Sequence, residues 1–162
     1  MNLINQLELE HDNIRQLLDN ITTELPTIQS LQEMRLVVRL IARTLERHGK
    51  TEDQMLYPAL KEIAEHIGNG KDMIHQHREL DANLTQLLSI ENLSQVKQEF
   101  LQVVHQIQKH FEFEETNVFP PRQTAMSFTS LAQLGTKLEA MQQSRLKALQ
   151  KLPAITRAQP RD

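Results

Sequence analysis

The sequence predicts an all-α protein, an antiparallel four-helix bundle with an additional C-terminal helix. Composition is the first reason: four Gly, one Tyr and no Trp among 162 residues, with abundant Leu, Gln and Glu, favour helix over sheet. The second is periodicity, because apolar residues recur at spacings of three and four along most of the chain. The third is a repeat. Arg47-His48-Gly49-Lys50-Thr51-Glu52 runs on to Pro58, and Lys109-His110-Phe111-Glu112-Phe113-Glu114 runs on to Pro120. In each copy a His is followed by a Glu four positions on, an aromatic (Tyr57, Phe119) nine on and a Pro ten on.

A chain of this length forms one domain and can bury roughly 68 to 70% of its unfolded surface, enough for a real core. The expected domain covers residues 1–152, with the bundle proper over about 1–120, the extra helix over about 127–152 and a mobile tail over 153–162.

The first helix is predicted from about Leu3 to Leu25. Leu3, Leu7, Ile14, Leu17, Leu18, Ile21 and Leu25 form one apolar stripe, and His11 sits within it. Pro26 ends this helix, and Ser30 with Glu33 supplies a capping box for the next. The second helix turns Leu31, Met34, Val37, Val38, Ile41 and Leu45 inward, and the same count lands on His48 and Glu52. Pro58 is expected to kink or break it, with a further helical piece to His66 before the boundary Gly68-Asn69-Gly70. The third helix, from about Lys71 to Ile90, buries Met73, Leu80, Leu84, Leu87 and Leu88, with His77 on the same face. The fourth, from about Ser94 to Val118, buries Val96, Phe100, Val103 and Ile107 and continues to His110 and Glu114 before Pro120-Pro121. A fifth is predicted from Ser127 or Ser130 to about Leu152, on a stripe of Leu131, Leu134, Leu138, Met141 and Leu149.

The unit is therefore a helix bearing one His and then a helix bearing His and Glu, performed twice. Four residues apart on a helix means about 40° around the axis and roughly 6 Å along it, so each His and Glu can reach a common point. A Glu on an apolar stripe is anomalous, since an unpaired buried carboxylate costs several kcal/mol or takes up a proton. One such pair is most simply a hydrogen-bonded couple in a core. Six polar groups converging in one bundle are better explained by metal. Imidazole and carboxylate donors suit iron or zinc. Six ligands exceed the four that one tetrahedral zinc takes, whereas two ions sharing two carboxylates use all of His11, His48, Glu52, His77, His110 and Glu114.

On those six residues, from about Met1 to Pro120, the chain resembles the hemerythrin-like (HHE cation-binding) family in its prokaryotic branch. The resemblance implies two iron ions in an oxo- and carboxylate-bridged non-haem centre, held by the six residues. It implies a small ligand (O2, NO or peroxide) bound for sensing, scavenging or storage, and an electron donor that the sequence does not identify. Where hemerythrins proper have a further His one turn before the third-helix ligand, this chain has Met73. They also place the fourth-helix carboxylate five after its His; Glu114 is four after His110, and Glu115 stands at five. The symmetric spacing is closer to the di-iron domain of proteins proposed to repair iron centres, which carry an additional Cys-bearing domain absent from this sequence.

Alternatives at the same residues are an enzyme turning over peroxide or nitric oxide, ferritin-like iron handling, or a metal-free helical interaction module. The ferritin pattern asks for Glu three before His on two helices, and only Glu8 with His11 fits. Asp81, one turn after His77, and Tyr57 are candidates for a supporting role around the site. His75 with Glu79, His66 and His105 are expected on the surface, and Met34, Met55, Met73, Met126 and Met141 in the core. The absence of Cys excludes thiolate sites and disulfides. A net charge of −3 without a basic stripe argues against nucleic acid as a partner. No run approaches the ~18 apolar residues of a membrane span, and the N-terminus lacks the pattern of a secretory signal, so the expected location is the cytoplasm.

Overall fold

A computed structural model describes residues 1–58, 70–120 and 126–150. Five α-helices and no strand occur among them. The first, α1, spans Leu3–Glu24, with the Asn2 side chain accepting from the Asn5 N–H at its start. Pro26 opens the 3-10 turn Leu25–Thr27 that closes it. Helix α2 spans Leu31–Thr51 and begins with the predicted capping box of Ser30 and Glu33. Helix α3 spans Gly70–Leu87, α4 spans Leu93–Phe113 behind an Asn92 cap, and α5 spans Phe128–Gln150. Ser127 caps α5 by accepting from the Ser130 N–H. Helix α3 stops three residues before the expected Ile90, because the N–H groups of Leu88, Ser89 and Ile90 turn back to carbonyls three residues earlier.

Pro58 does not break α2. The helix widens into a π turn at Glu52–Leu56 and continues through Pro58. The Tyr57 N–H reaches five residues back to the Glu52 carbonyl, so the proline, which lacks an N–H and crowds the carbonyl four before it, follows a wider turn. The second copy repeats this: α4 passes into a π turn at Glu114–Val118, with the Phe119 N–H on the Glu114 carbonyl ahead of Pro120. Each π turn starts at the carboxylate of the motif. The helical piece to His66, Gly68, Asn69, Pro121, Leu152 and the tail 153–162 lie outside the described residues.

Short links between α1 and α2 and between α3 and α4 make each pair antiparallel neighbours. Asn83 bonds Gln106 and Gln76 bonds His110, a register in which α3 ascends as α4 descends. Helix α5 lies along α1 in the parallel sense: Gln6 donates to the Gly135 carbonyl and to Glu139, and Gln142 donates to Glu10 one turn further on. Gly135 permits this approach, since a Cβ there would collide with the Met1 carbonyl oxygen and press on Gln6.

Apolar packing falls into two clusters. One joins Ile14, Leu18, Met34, Ile41, Leu84, Phe100, Ile107 and Phe111 toward the helix-linking turns. The other joins Leu3, Leu7, Met55, Leu56, Met73, Val118, Phe119, Leu131 and Leu138, the last two from α5. Met34, Met55 and Met73 are core residues as expected, and Met126 and Met141 pack against the second cluster. No described helix is long and apolar enough to cross a membrane.

Candidate metal centre

Between the two clusters lies a polar layer. His11, His48, Glu52, His110 and Glu114 are buried, both carboxylates at 0% exposure, and His77 is 15% exposed. Each belongs to its helix's apolar stripe, so packing on either side carries the polar side chains inward.

The six side chains sort into two sets whose donor atoms lie within 4.8 Å of one another: His11, His48, Glu52 and Glu114, and Glu52, His77, His110 and Glu114. Glu52 and Glu114 belong to both. The His11 Nε2 is 3.2 Å from Glu114 Oε2 and 2.9 Å from His48 Nε2. In the other half His77 Nε2 is 3.1 Å from Glu52 Oε2, and His110 Nε2 is 3.2 Å from Glu114 Oε1. The rings pair alike in both halves, His11 with His48 at 4.7 Å and 66°, His77 with His110 at 4.8 Å and 77°. The sequence repeat is thus a spatial pseudo-twofold.

Every imidazole turns Nε2 into the layer and Nδ1 outward to an oxygen. His48 Nδ1 is 2.9 Å from Glu10, His11 Nδ1 is 2.8 Å from Glu115, and His110 Nδ1 is 2.9 Å from the Gln76 carbonyl oxygen. His77 Nδ1 faces Asp53 at 3.7 Å, beyond hydrogen-bond range. An acceptor at Nδ1 fixes the proton there and leaves the Nε2 lone pair for a cation. The outer carboxylates are held in turn, Glu115 by Arg15 at 2.8 Å and Glu10 by Gln142 at 3.0 Å. Phe111 stacks on His11 at 4.0 Å, and Phe119 flanks the same ring at 5.5 Å.

The electrostatics are those of a site short of positive charge. Burial and the neighbouring Glu114 charge push the Glu52 carboxyl up. Glu114, also raised by burial, is brought well below the usual range by His11 and His77. Burial pulls His77 down, but contact with Glu114 and Glu52 outweighs it and lifts the imidazole to about 10. His110 falls to about 4 through burial, the attraction of Glu114 being outweighed further by repulsion from the other imidazoles. Both oxygens of Glu52 and Glu114 and the Nε2 atoms of His77 and His110 are buried without hydrogen-bond partners. Buried groups left so are costly, and a pair of cations would satisfy them together. The donor set of imidazole nitrogen and carboxylate oxygen fits that role.

The sequence alone does not give four outer positions this role, Glu115 standing there only as an alternative to Glu114, and the repeat itself carries the signal for them. Glu10 and Gln76 directly precede His11 and His77; Asp53 and Glu115 directly follow Glu52 and Glu114. Glu10, Gln76 and Glu115 each bond an imidazole of another helix, and Asp53 stands near His77 without bonding it. Asp81, considered for such a role, is exposed and lines a cleft, and partial desolvation and the nearby Glu46 raise its carboxyl; the carboxylate that stands 3.7 Å from His77 Nδ1 is that of Asp53. Tyr57 packs against the second apolar cluster. His75, Glu79 and His105 are exposed as expected, and His66 lies outside the described residues.

Fold and site together define a helical bundle built around a cation-binding layer. The chain belongs to the hemerythrin family: the family model described as hemerythrin HHE cation-binding domain matches residues 2–122, spanning all six candidate ligands. No curated protein and no solved structure matches the chain.

Proposed function

We propose that the protein is a cytoplasmic non-haem di-iron protein that binds a small ligand, O2, NO or peroxide, for sensing, scavenging or storage. The observation that carries the reading is that the two donor sets share Glu52 and Glu114. His11 and His48 would hold one ion, His77 and His110 the other, with the two carboxylates common to both.

Iron held there would supply a reversible one-electron change per ion and coordination positions for a small ligand. The chain's own residues prepare for it. Glu52 and Glu114, the buried carboxylates among the described residues, bring negative charge into the layer, which offsets repulsion between two cations. Glu10, Glu115 and Gln76 hold their imidazoles as Nε2 donors. Phe111 and Phe119 exclude water from the His11 side and keep its ring from rotating. The equal His-to-Glu spacing in both halves supports a place in the prokaryotic branch, nearest in pattern to the di-iron domains of iron-centre repair proteins.

Elemental analysis of the purified protein, with optical spectra before and after exposure to air, tests the reading. About two iron ions per chain and near-ultraviolet bands that change with oxidation are expected. A single tightly held zinc per chain with no such bands would overturn it.

A further inference from the structure

The two halves of the centre, alike in sequence, differ in their connection to the surface. Clefts among the described residues that approach the ligands include three. One of about 460 Å³ lies between α1, α2 and α5, and meets only the outer edge of His48, where Glu10 already occupies Nδ1. Its walls carry Arg47 and Arg145, which repel a cation. A second, of about 250 Å³ between α3 and α4, meets His110 from the side where Gln76 holds Nδ1, and sets Lys109 against Glu79, so it carries no net charge to draw a cation in.

The third differs in both respects. It opens between α2 and α3 with a volume of about 190 Å³, is lined by His77, His48 and His110, and has Glu46, Asp53 and Asp81 at its walls against the single cation of Lys50. Lys50 is itself paired with Glu46, so the cleft keeps a net negative charge. His110, buried with an unpartnered Nε2, stands at its inner end. His77 stands between that end and solvent. It is the most exposed of the four imidazoles, and no hydrogen bond ties its Nδ1, whereas the other three are each tied at 2.8 to 2.9 Å. Gly49 lines the cleft beside it, and a Cβ there would sit 3.3 Å from His77 Nδ1, so the missing side chain leaves the ring room to turn.

We propose that divalent cations reach and leave the centre through the α2–α3 cleft, and that His77 is the ligand that swings aside to let them pass. The proposal rests on the reading of the six residues as a metal centre. Acidic walls concentrate cations at the mouth, and the absent Nδ1 hydrogen bond leaves His77 held from its inner nitrogen alone, where the other three imidazoles are also tied from outside. The sealed half, with His11 under Phe111 and locked to Glu115, then fills by passage through the open one.

Stopped-flow uptake of Co2+ by the metal-free full-length protein, read from cobalt absorption, tests this with three variants. In Glu46→Gln/Asp81→Asn, which leaves all six ligands and Asp53 intact, uptake should slow on the order of tenfold at low ionic strength, and the difference should shrink as salt rises. Gly49→Ala should slow uptake and chelator-driven release together, with the final two ions per chain retained. Thr44→Trp, which fills the α1–α2–α5 cleft, should load at the wild-type rate. Wild-type uptake rates in both of the first two variants, or slowing in Thr44→Trp alone, would overturn the route while leaving the metal centre standing. Wild-type protein that takes up no Co2+ and no iron would remove the centre itself.

Discussion

Replacing Glu10 with Ala should damage the metal centre without touching any of the six ligands. Glu10 accepts from His48 Nδ1 at 2.9 Å through one oxygen and from Gln142 Nε2 at 3.0 Å through the other. It links the docked fifth helix to the layer. His48 is buried, so removing its acceptor leaves an unpaired donor costing about 1–3 kcal/mol, and frees the ring to rotate and exchange tautomers. Loss of such a partner behind a metal-binding imidazole typically lowers affinity about 10- to 100-fold, which is about 1.4–2.7 kcal/mol. Glu10→Gln, which retains one oxygen acceptor, should recover part of the loss. Gln142→Ala, one bond further out, should cost less than either. Competition against a chromophoric chelator measures the affinity and chemical denaturation the stability. Wild-type affinity in Glu10→Ala would refute the argument that the Nδ1 contacts set the imidazoles for binding.

Two further perturbations follow from the same geometry. Gly135→Ala forces a methyl group against the Met1 carbonyl and Gln6 and should destabilise the fold by about 1–3 kcal/mol, each kcal/mol lowering Tm by about 2–4 °C, as calorimetry would show; an unchanged Tm would mean that α5 is not closely docked. The pH dependence has a definite sign. In metal-free protein the His77 imidazolium, held to about 10 against an ordinary 6.5, contributes stability that is fully present below pH 6.5 and lost as pH rises through 10. Cation binding needs the neutral ring, so loading at pH 7 should release protons and affinity should rise with pH, which titration calorimetry in buffers of different ionisation heat would detect. Equal heats in all buffers would show that the empty site carries no such proton.

The bundle was legible because its signals are local. Stripes through Leu7-His11-Ile14 and Leu45-His48-Glu52 carry helix and inward face together, and the Ser30–Glu33 capping box marks a start that the structure reproduces. The π turns were not. Pro58 and Pro120 signal that the backbone must adjust, but the adjustment falls a turn earlier, where the wider turn also presents Glu52 and Glu114, and no periodicity marks that point. Convergence of six polar side chains could be inferred from shared stripes. Which atoms face one another depends on rotation between helices, which one strand of spacing does not contain. The outer acceptors show the difference: Glu10 and Gln76 are offset from the stripe and read as surface until the neighbouring helix brings His48 and His110 beside them. The partnership of α5 with α1 rests on Gly135 and Gln6, a glycine and an amide with no distinguishing pattern of their own.

The central claim is that Glu52 and Glu114 are shared by two ions and that the carboxylate four residues after His110, not five, completes the set. Metal stoichiometry in Glu52→Ala, Glu114→Ala and Glu115→Ala, purified identically and measured by elemental analysis alongside the optical spectrum, tests it most directly. Glu52→Ala and Glu114→Ala should each lose more than half the iron and the spectrum of the paired ions, because each carboxylate faces both donor sets. Glu115→Ala should bind more weakly through the loss of the His11 contact but still reach two ions per chain. Full iron and an unaltered spectrum in Glu114→Ala, with loss of both in Glu115→Ala, would contradict the account.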